Sequence, residues 1–235
     1  MRKKNEQNQP FIIAVSGKAR SGKGEFAKIA QEKYGATVIS FAGALKEEVI
    51  DFLTRHSIPF RMENIYGANE FREELFSFTE SAWFDMEFPS TKFMLEVGEI
   101  SNPSSLDNCP LWKASFRSLL QWWGTEYRRK QDDQYWVNKA IEKCKPNLFQ
   151  GGGSPLYVID DLRFENEATA LLSAGAILVR VERTNNPNSI SNPWHESETG
   201  LDSWLEWKYI IENNSSLNEY HACCELVLDE ILKEE

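Results

Sequence analysis

Short runs of apolar, β-branched residues recur along the chain, separated by turn residues and by stretches whose apolar positions fall at helical spacing. Phe11 to Val15, Thr37 to Ile39, Leu156 to Ile159, Ala176 to Val181 and Trp207 to Ile211 read as five strands. Glu25 to Tyr34, Leu45 to Leu53, Glu165 to Ala174 and Leu217 to Leu232 read as helices. This alternation is the signature of an α/β fold in which helical crossovers join the strands of a five-stranded parallel sheet. Between about residues 52 and 150 the rhythm stops. That segment is rich in aromatic and charged residues, with a Pro/Ser/Asn patch from Ser101 to Pro110, and it predicts a mostly helical insertion covering the carboxyl edge of the sheet. Gly151 to Gly153 would return the chain to the third strand. A chain of 235 residues suits one sizeable core, so residues 11–235 are expected to form a single domain behind a polar tail over residues 1–10.

Charge narrows the choice of partner. With 26 Lys and Arg against 36 Asp and Glu, the net charge of −10 argues against a broad nucleic-acid surface, which needs a cationic excess. Any phosphate must be met locally. No apolar run approaches the ~20 residues that span a bilayer, and the opening MRKKNEQNQP has no apolar stretch suited to a signal peptide, so the expectation is a cytoplasmic protein. Cys109, Cys144, Cys223 and Cys224 show neither paired zinc spacing nor a C-x-x-C motif, and read as reduced structural thiols. A homodimer is compatible with this composition.

The strongest local signal is FIIAVSGKARSGKGEFAKIA, where a buried-type strand enters Gly17, four residues pass, and Gly22-Lys23 opens a helix. Glycines permit a loop whose successive N–H groups turn inward around a polyphosphate, and the following helix aims its positive end at the same place. Gly17, Lys18, Ser21, Gly22, Lys23, Gly24 and Glu25 are therefore the expected nucleotide-binding positions, with Lys23 reaching the β- and γ-phosphates. The usual motif has Ser or Thr after the lysine to hold Mg²⁺. Gly24 stands there instead, so a metal ligand is sought elsewhere, with Ser21, Ser40, Asp160 and Asp161 as candidates.

Further candidates sit where open α/β sheets bind ligands. The third strand delivers Asp160 and Asp161 to the carboxyl edge, as expected metal ligands, and Arg163 follows as a stabiliser of charge on the transferring phosphoryl group. The competing structural reading has Asp161 capping the next helix and Arg163 pairing with Glu165 or Glu167. Ser40, Phe41 and Lys46 form a small-residue turn into a helix where a substrate pocket could begin. In the insertion, SFRSLLQWWGTEYRRKQDDQYW clusters Gln121, Trp122, Thr125, Arg128 and Arg129, residue types that read a base edge, stack on a ring and clamp a monophosphate. At least one of Trp122 and Trp123 is expected to be core. His195 and Glu198 lie in a long polar loop that could close over a nucleotide.

The G-x-x-x-S-G-K loop, the S-F-A-x-x-L-K turn, the L-Q-x-x-G-T-E-x-x-R helix, D-x-R-F-x-N-E-A and H-x-S-E together resemble the deoxynucleoside monophosphate kinases of tailed bacteriophages and related bacterial proteins. The resemblance implies the three-layer P-loop kinase fold and transfer of the ATP γ-phosphate to a deoxynucleoside monophosphate, with Mg²⁺ as the metal. It assigns Lys23 and its loop to ATP, and Asp161, Arg163 and the Gln121 to Arg129 helix to acceptor and catalysis. The sequence departs from that family where Gly24-Glu25 replaces Asp-Thr or Asp-Ser, and where the S-F-A turn lacks Asp-Pro. Rival readings are a kinase of the same fold acting on dephospho-coenzyme A or phosphomevalonate, and a nucleotide-binding regulator without an acceptor.

Overall fold

The computed structural model describes residues 10–79, 99–101, 111–145, 155–184 and 199–233. In chain order the first elements are β1 (Phe11–Ser16), α1 (Lys23–Tyr34), β2 (Thr37–Ile39), α2 (Phe41–Arg55), α3 (Met62–Tyr66) and α4 (Asn69–Arg72). Next come β3 (Leu75–Thr79), β4 (Glu99–Ser101), β5 (Leu111–Ser115) and α5 (Phe116–Trp122), which runs into a π-helical segment, Trp123–Arg129. The chain closes with α6 (Tyr135–Lys143), β6 (Leu156–Leu162), α7 (Glu165–Ser173), β7 (Ile177–Glu182), β8 (Tyr209–Glu212) and α8 (Leu217–Ile231). Two compact units result: Met1–Phe41 with Trp136–Glu235, and Ala42–Tyr135.

The first unit is built on a sheet in the order β2-β6-β1-β7-β8, every neighbouring pair parallel. Its strands are the five that the hydrophobic pattern predicts. Period-two alternation sends Ile13, Val15, Val158, Val179 and Ile211 to one face, where they bury against Phe26 and Ala30 of α1 and Tyr220 and Leu228 of α8. Fully burying a side chain such as Phe26 contributes ~1.5–3 kcal/mol, so this cluster fixes α1 to the sheet. Polar contacts along α8 reinforce it: His221 Nε2 lies 2.9 Å from Glu25, Lys33 Nζ 2.5 Å from Glu225, and the Tyr34 hydroxyl donates to Asp229 at 2.9 Å. Helix α7 packs against β7, with Ala168 and Leu171 buried.

Strand order reverses around β1, which lies between β6 and β7, and such a switch point is where doubly wound sheets leave a crevice for ligand. Here β1 and β6 fall out of step: Ala14 pairs with Ile159 but Ser16 pairs with Leu162. Three steps along β6 thus oppose two along β1, and the additional residue falls within Asp160-Asp161. Bulges of this kind re-aim side chains beside functional sites.

Among its described residues the second unit has more helix than strand. Alongside its helices it holds a three-stranded antiparallel sheet, β3-β5-β4, with Phe76 opposite Ala114. Both of those residues are buried while Ser77 is exposed, the alternation of a half-buried strand. Helix α5 starts at Ser115, whose Oγ accepts the Ser118 N–H.

Candidate active site

The loop between β1 and α1 has the backbone of a phosphate nest. Gly17 has φ +154° and Gly22 φ +117°, while Arg20 between them is left-handed at φ +62°. Close approach also demands glycine: a Cβ on Gly17 would stand 2.4 Å from the Val181 carbonyl oxygen and 2.5 Å from Ser21 Oγ. Ser21 Oγ is buried beneath the loop, with no hydrogen-bond partner among the described residues. Lys23 opens α1 and folds back so that its Nζ donates to the carbonyls of Gly17 at 2.5 Å and Lys18 at 2.9 Å. Its ammonium therefore lies over the loop, and Lys23, Lys18 and Gly17 form one group.

The two aspartates have different surroundings. Burial raises the Asp160 carboxyl above the ordinary aspartate value, against the opposing fields of Lys23 and Arg163. Asp160 thus lies within the electrostatic reach of Lys23 and Arg163. Asp161 Oδ1 instead accepts the Phe41 N–H at 3.0 Å. It holds the start of α2, a different helix from the one the competing structural reading had it cap. Phe41, expected at a substrate pocket, buries its ring and contributes its amide to this bond. Ser40, beside it, is half-buried.

Arg163 is anchored through its backbone. Glu167 is 2% exposed, and its Oε2 accepts the N–H of Arg163 at 3.0 Å and of Phe164 at 3.1 Å. A carboxylate acceptor at this place satisfies amides at the helix start, and it explains the spacing of Arg163 and Glu167 in D-x-R-F-x-N-E-A.

A polar chain centred on Arg180 borders the loop on its other side. Arg180, 7% exposed, donates from Nη1 to Ser16 Oγ at 3.1 Å and from Nη2 to Asp202 Oδ1 at 3.1 Å, and its guanidinium lies 5.6 Å from the Trp207 ring centre. Asp202 also pairs with Lys18 at 3.1 Å. A cleft of about 320 Å³ opens there, lined by Lys18, Arg180, Asp202 and the end of β7 through Thr184.

In the second unit, Glu48 gathers three donors. Its Oε2 accepts from Trp123 Nε1 and Arg128 Nε, each at 2.9 Å, and its Oε1 accepts from the Tyr135 hydroxyl. The Arg128 guanidinium also lies 4.5 Å from the Tyr127 ring centre and 4.8 Å from that of Tyr135. Arg128, expected to clamp a monophosphate, is therefore committed to Glu48. Trp122 and Trp123 are 7% and 3% exposed, and Trp122 stacks on Tyr127 at 5.3 Å, so both act as core rather than as a platform for a base. Gln121 and Thr125 are exposed and Arg129 is half-buried. Lys46 sits 4.7 Å above the Tyr66 ring. The G-T-E-x-x-R string lies in the π-helical segment, whose wider turn re-aims these side chains, a feature frequent at functional sites.

His195 and Glu198 lie outside the described residues. Among the described residues no three His, Cys, Asp or Glu side chains group as a metal cage. Asp160 and Asp161, the two expected metal ligands, both stand near the carboxyl end of β6. Cys144 and Cys224 are buried, which pushes their thiols up to about 12 and about 11.

A family model described as Deoxynucleotide monophosphate kinase matches residues 84–223, more than half of the chain. The chain belongs to that family. The kinase family's match covers β6, Asp160, Asp161, Arg163 and the second unit's π-helical segment, and begins downstream of the Gly17–Lys23 loop. The chain is also similar to a protein of Acanthamoeba polyphaga mimivirus provisionally named as a deoxynucleotide monophosphate kinase, at 25% identity over 213 residues, covering 90% of this chain and 92% of that one. Among solved structures it is similar to dephospho-CoA kinase from Campylobacter jejuni, with a TM-score of 0.44 and 17% identity over 96% of this chain and 98% of that one. It is also similar to TT1252 from Thermus thermophilus, with a TM-score of 0.45 and 13% identity over 94% and 98%. No helix among the described residues is long and apolar enough to cross a membrane.

Proposed function

We propose that this phosphotransferase moves the γ-phosphate of ATP to a deoxynucleoside monophosphate, giving ADP and the deoxynucleoside diphosphate. The observation that carries the reading is the Gly17–Lys23 nest with Asp160 in the fields of both its lysine and Arg163, in a chain of the deoxynucleotide monophosphate kinase family. A phosphate oxygen of the acceptor attacks the γ-phosphorus, the bond from that phosphorus to the β,γ-bridging oxygen breaks, and its electron pair leaves with ADP. Both reactants are anions, so the protein's task is to screen and align them. Lys23 follows the charge that builds on the β,γ-bridging oxygen, and Arg163 meets the equatorial oxygens. Mg²⁺, when bound through Asp160, would neutralise charge on the β- and γ-phosphates.

The cleft beside Lys18 suits the nucleoside half of ATP, because it adjoins the loop on the same strand edge. The acceptor is assigned to the Gln121 to Arg129 segment, where Gln121 and Thr125 are exposed. The test is an ADP-release assay across the deoxy and ribo monophosphates, with dephospho-coenzyme A and phosphomevalonate as further acceptors and Lys23→Ala as the control. Release stimulated by one or more deoxy monophosphates and lowered by orders of magnitude in Lys23→Ala is expected. Release stimulated only by another acceptor, or unaffected by any, would replace this reading with one of its rivals.

A further inference from the structure

The direction of the loop amides is set from the far end of the chain. Asn213, which follows β8 and continues its pairing by donating its N–H to the Glu182 carbonyl at 2.7 Å, is buried, and its Nδ2 donates to the Ser21 carbonyl at 2.8 Å. Because the acceptor is a carbonyl, the side-chain amide must present its nitrogen there. Tyr220 of α8 is fully buried, and its hydroxyl donates to the Gly22 carbonyl at 2.9 Å. Burial also holds this phenol above its ordinary pKa, so it remains a donor across the working pH range.

These two carbonyls matter because a trans peptide points its C=O and N–H in opposite directions. The Ser21 carbonyl shares its peptide plane with the Gly22 N–H, and the Gly22 carbonyl shares its plane with the Lys23 N–H. Holding both oxygens against the β8–α8 segment aims both amides the other way. The contact is close enough to demand glycine: a Cβ at Gly22 would stand 2.7 Å from Asn213 Nδ2 and 2.9 Å from the Tyr220 oxygen. In a nest the outward carbonyls are the groups that need partners, since an unpaired buried carbonyl is costly and would favour a flipped peptide. The Gly22 carbonyl also accepts the Glu25 and Phe26 N–H groups of α1, each at 3.0 Å, so Tyr220 adds a third donor there, while Asn213 supplies the Ser21 carbonyl.

We propose that Asn213 and Tyr220 are positioning residues for ATP, which clamp the Ser21 and Gly22 carbonyls so that the Gly22 and Lys23 amides converge on the triphosphate. The inference rests on reading the loop as the ATP site. Neither side chain touches the nucleotide; both act through the backbone.

The test compares Tyr220→Phe, which keeps the buried ring and removes the hydroxyl, with Asn213→Asp, which keeps the shape and turns a donor towards an acceptor into a second acceptor. Tyr34→Phe is the control, because it removes an α1–α8 hydrogen bond to Asp229 at the end of α1 away from the loop. Calorimetric binding of MgATP without acceptor, and steady-state KM for each substrate, are measured on the full chain. Loss of the Asn213 bond is expected to weaken ATP binding and raise the ATP KM about tenfold, and loss of the Tyr220 bond to do so about threefold, because the Gly22 carbonyl keeps its Glu25 and Phe26 donors, with the acceptor KM unchanged in both. Tyr34→Phe should lower Tm and leave the ATP constant alone. ATP affinity within twofold of wild type in both clamp variants, or equal losses for ATP and acceptor, would overturn the clamp. A wild type that binds ATP but phosphorylates no deoxynucleotide removes the functional reading while the binding comparison still decides the clamp. One that binds no ATP removes both.

Discussion

Asp161 Oδ1 holds the backbone N–H of Phe41 at 3.0 Å, so the carboxyl end of β6 secures the first amide of α2. Its neighbour Asp160 is the buried acid in the fields of Lys23 and Arg163. Adjacent carboxylates thus have different surroundings, and substitutions should separate them. Asp161→Asn keeps a carbonyl acceptor and should fold with near wild-type stability, whereas Asp161→Ala should lose ~1 kcal/mol in urea denaturation, the usual cost of removing an acceptor from a helix start. Asp160→Asn should lower kcat about a hundredfold or more. Equal losses of activity in Asp160→Asn and Asp161→Asn would show that both acids serve the chemistry.

The same asymmetry gives Asp160 a pH signature. The unfolded chain releases this proton near the ordinary aspartate value, while burial delays release in the folded chain to higher pH. The folded state thus binds more protons between those two values, and this residue's contribution to stability falls as pH rises through them. Above both, the folded protein carries a charge that burial disfavours. Asp160→Asn should therefore raise Tm at pH 7 while it lowers activity, and the gain should vanish below the ordinary aspartate range. A Tm at pH 7 below that of wild type would mean that Lys23 and Arg163 outweigh burial.

Much of the fold was legible in the sequence, and the limits of that reading are physical. The five strands were readable because a parallel sheet buried on both faces needs continuous β-branched runs such as FIIAVS and LYVID. Asp160, Asp161 and Arg163 could be placed at the sheet edge because they follow such a run directly. The bulge that separates the two acids could not, since register depends on β1 as well as β6. The antiparallel sheet of the second unit hides in strands as short as Glu99–Ser101, too short for a period to declare itself. Asn213 and Tyr220 were invisible for another reason: their partners lie 192 and 198 residues away, and a lone Asn or Tyr leaves no local pattern. Likewise, Glu48 gave no sign that it would engage Arg128, 80 residues on.

Arg163 and Glu167 offer a test of role against scaffold. Arg163→Ala should lower kcat more than it raises either KM, because a guanidinium that meets the equatorial oxygens acts mainly in the transition state. Glu167→Ala removes the acceptor of two amides, at 3.0 and 3.1 Å, from a buried position. It should lower stability by ~1–3 kcal/mol and activity along with it. A pure KM effect in Arg163→Ala would move that residue from catalysis to acceptor binding.

Gly24 is not imposed by packing. A Cβ there would meet nothing within 4 Å, and the position needs no left-handed backbone. Gly24→Ser should thus fold, gain ~0.5 kcal/mol from higher helix propensity, and restore the hydroxyl that phosphate-binding loops use for Mg²⁺. Titrating Mg²⁺ in the ADP-release assay should show half-saturation at a lower concentration in Gly24→Ser than in wild type. An unchanged Mg²⁺ dependence with raised stability would place the metal out of reach of position 24.

Glu48 is the stability-critical acid of the second unit. Three donors meet one half-buried carboxylate: an indole N–H, a guanidinium N–H and a phenol O–H. Its side chain is 12% exposed and that of Arg128 25%, so water screens the pair only in part. Breaking a pair of this kind by removing one partner strands the other charge and costs ~3–5 kcal/mol at full burial; partial exposure places Glu48→Ala nearer the lower figure. Glu48→Gln keeps one acceptor oxygen but sets an N–H₂ against donors, and should recover only part of the loss. Arg128→Met removes the cation with its stem volume retained, and should cost less than Glu48→Ala because Trp123 and Tyr135 keep their acceptor. Urea denaturation of the three variants checks that order. If Arg128→Met proved the most damaging, the two ring contacts of the guanidinium, rather than the carboxylate, would be what holds the segment together.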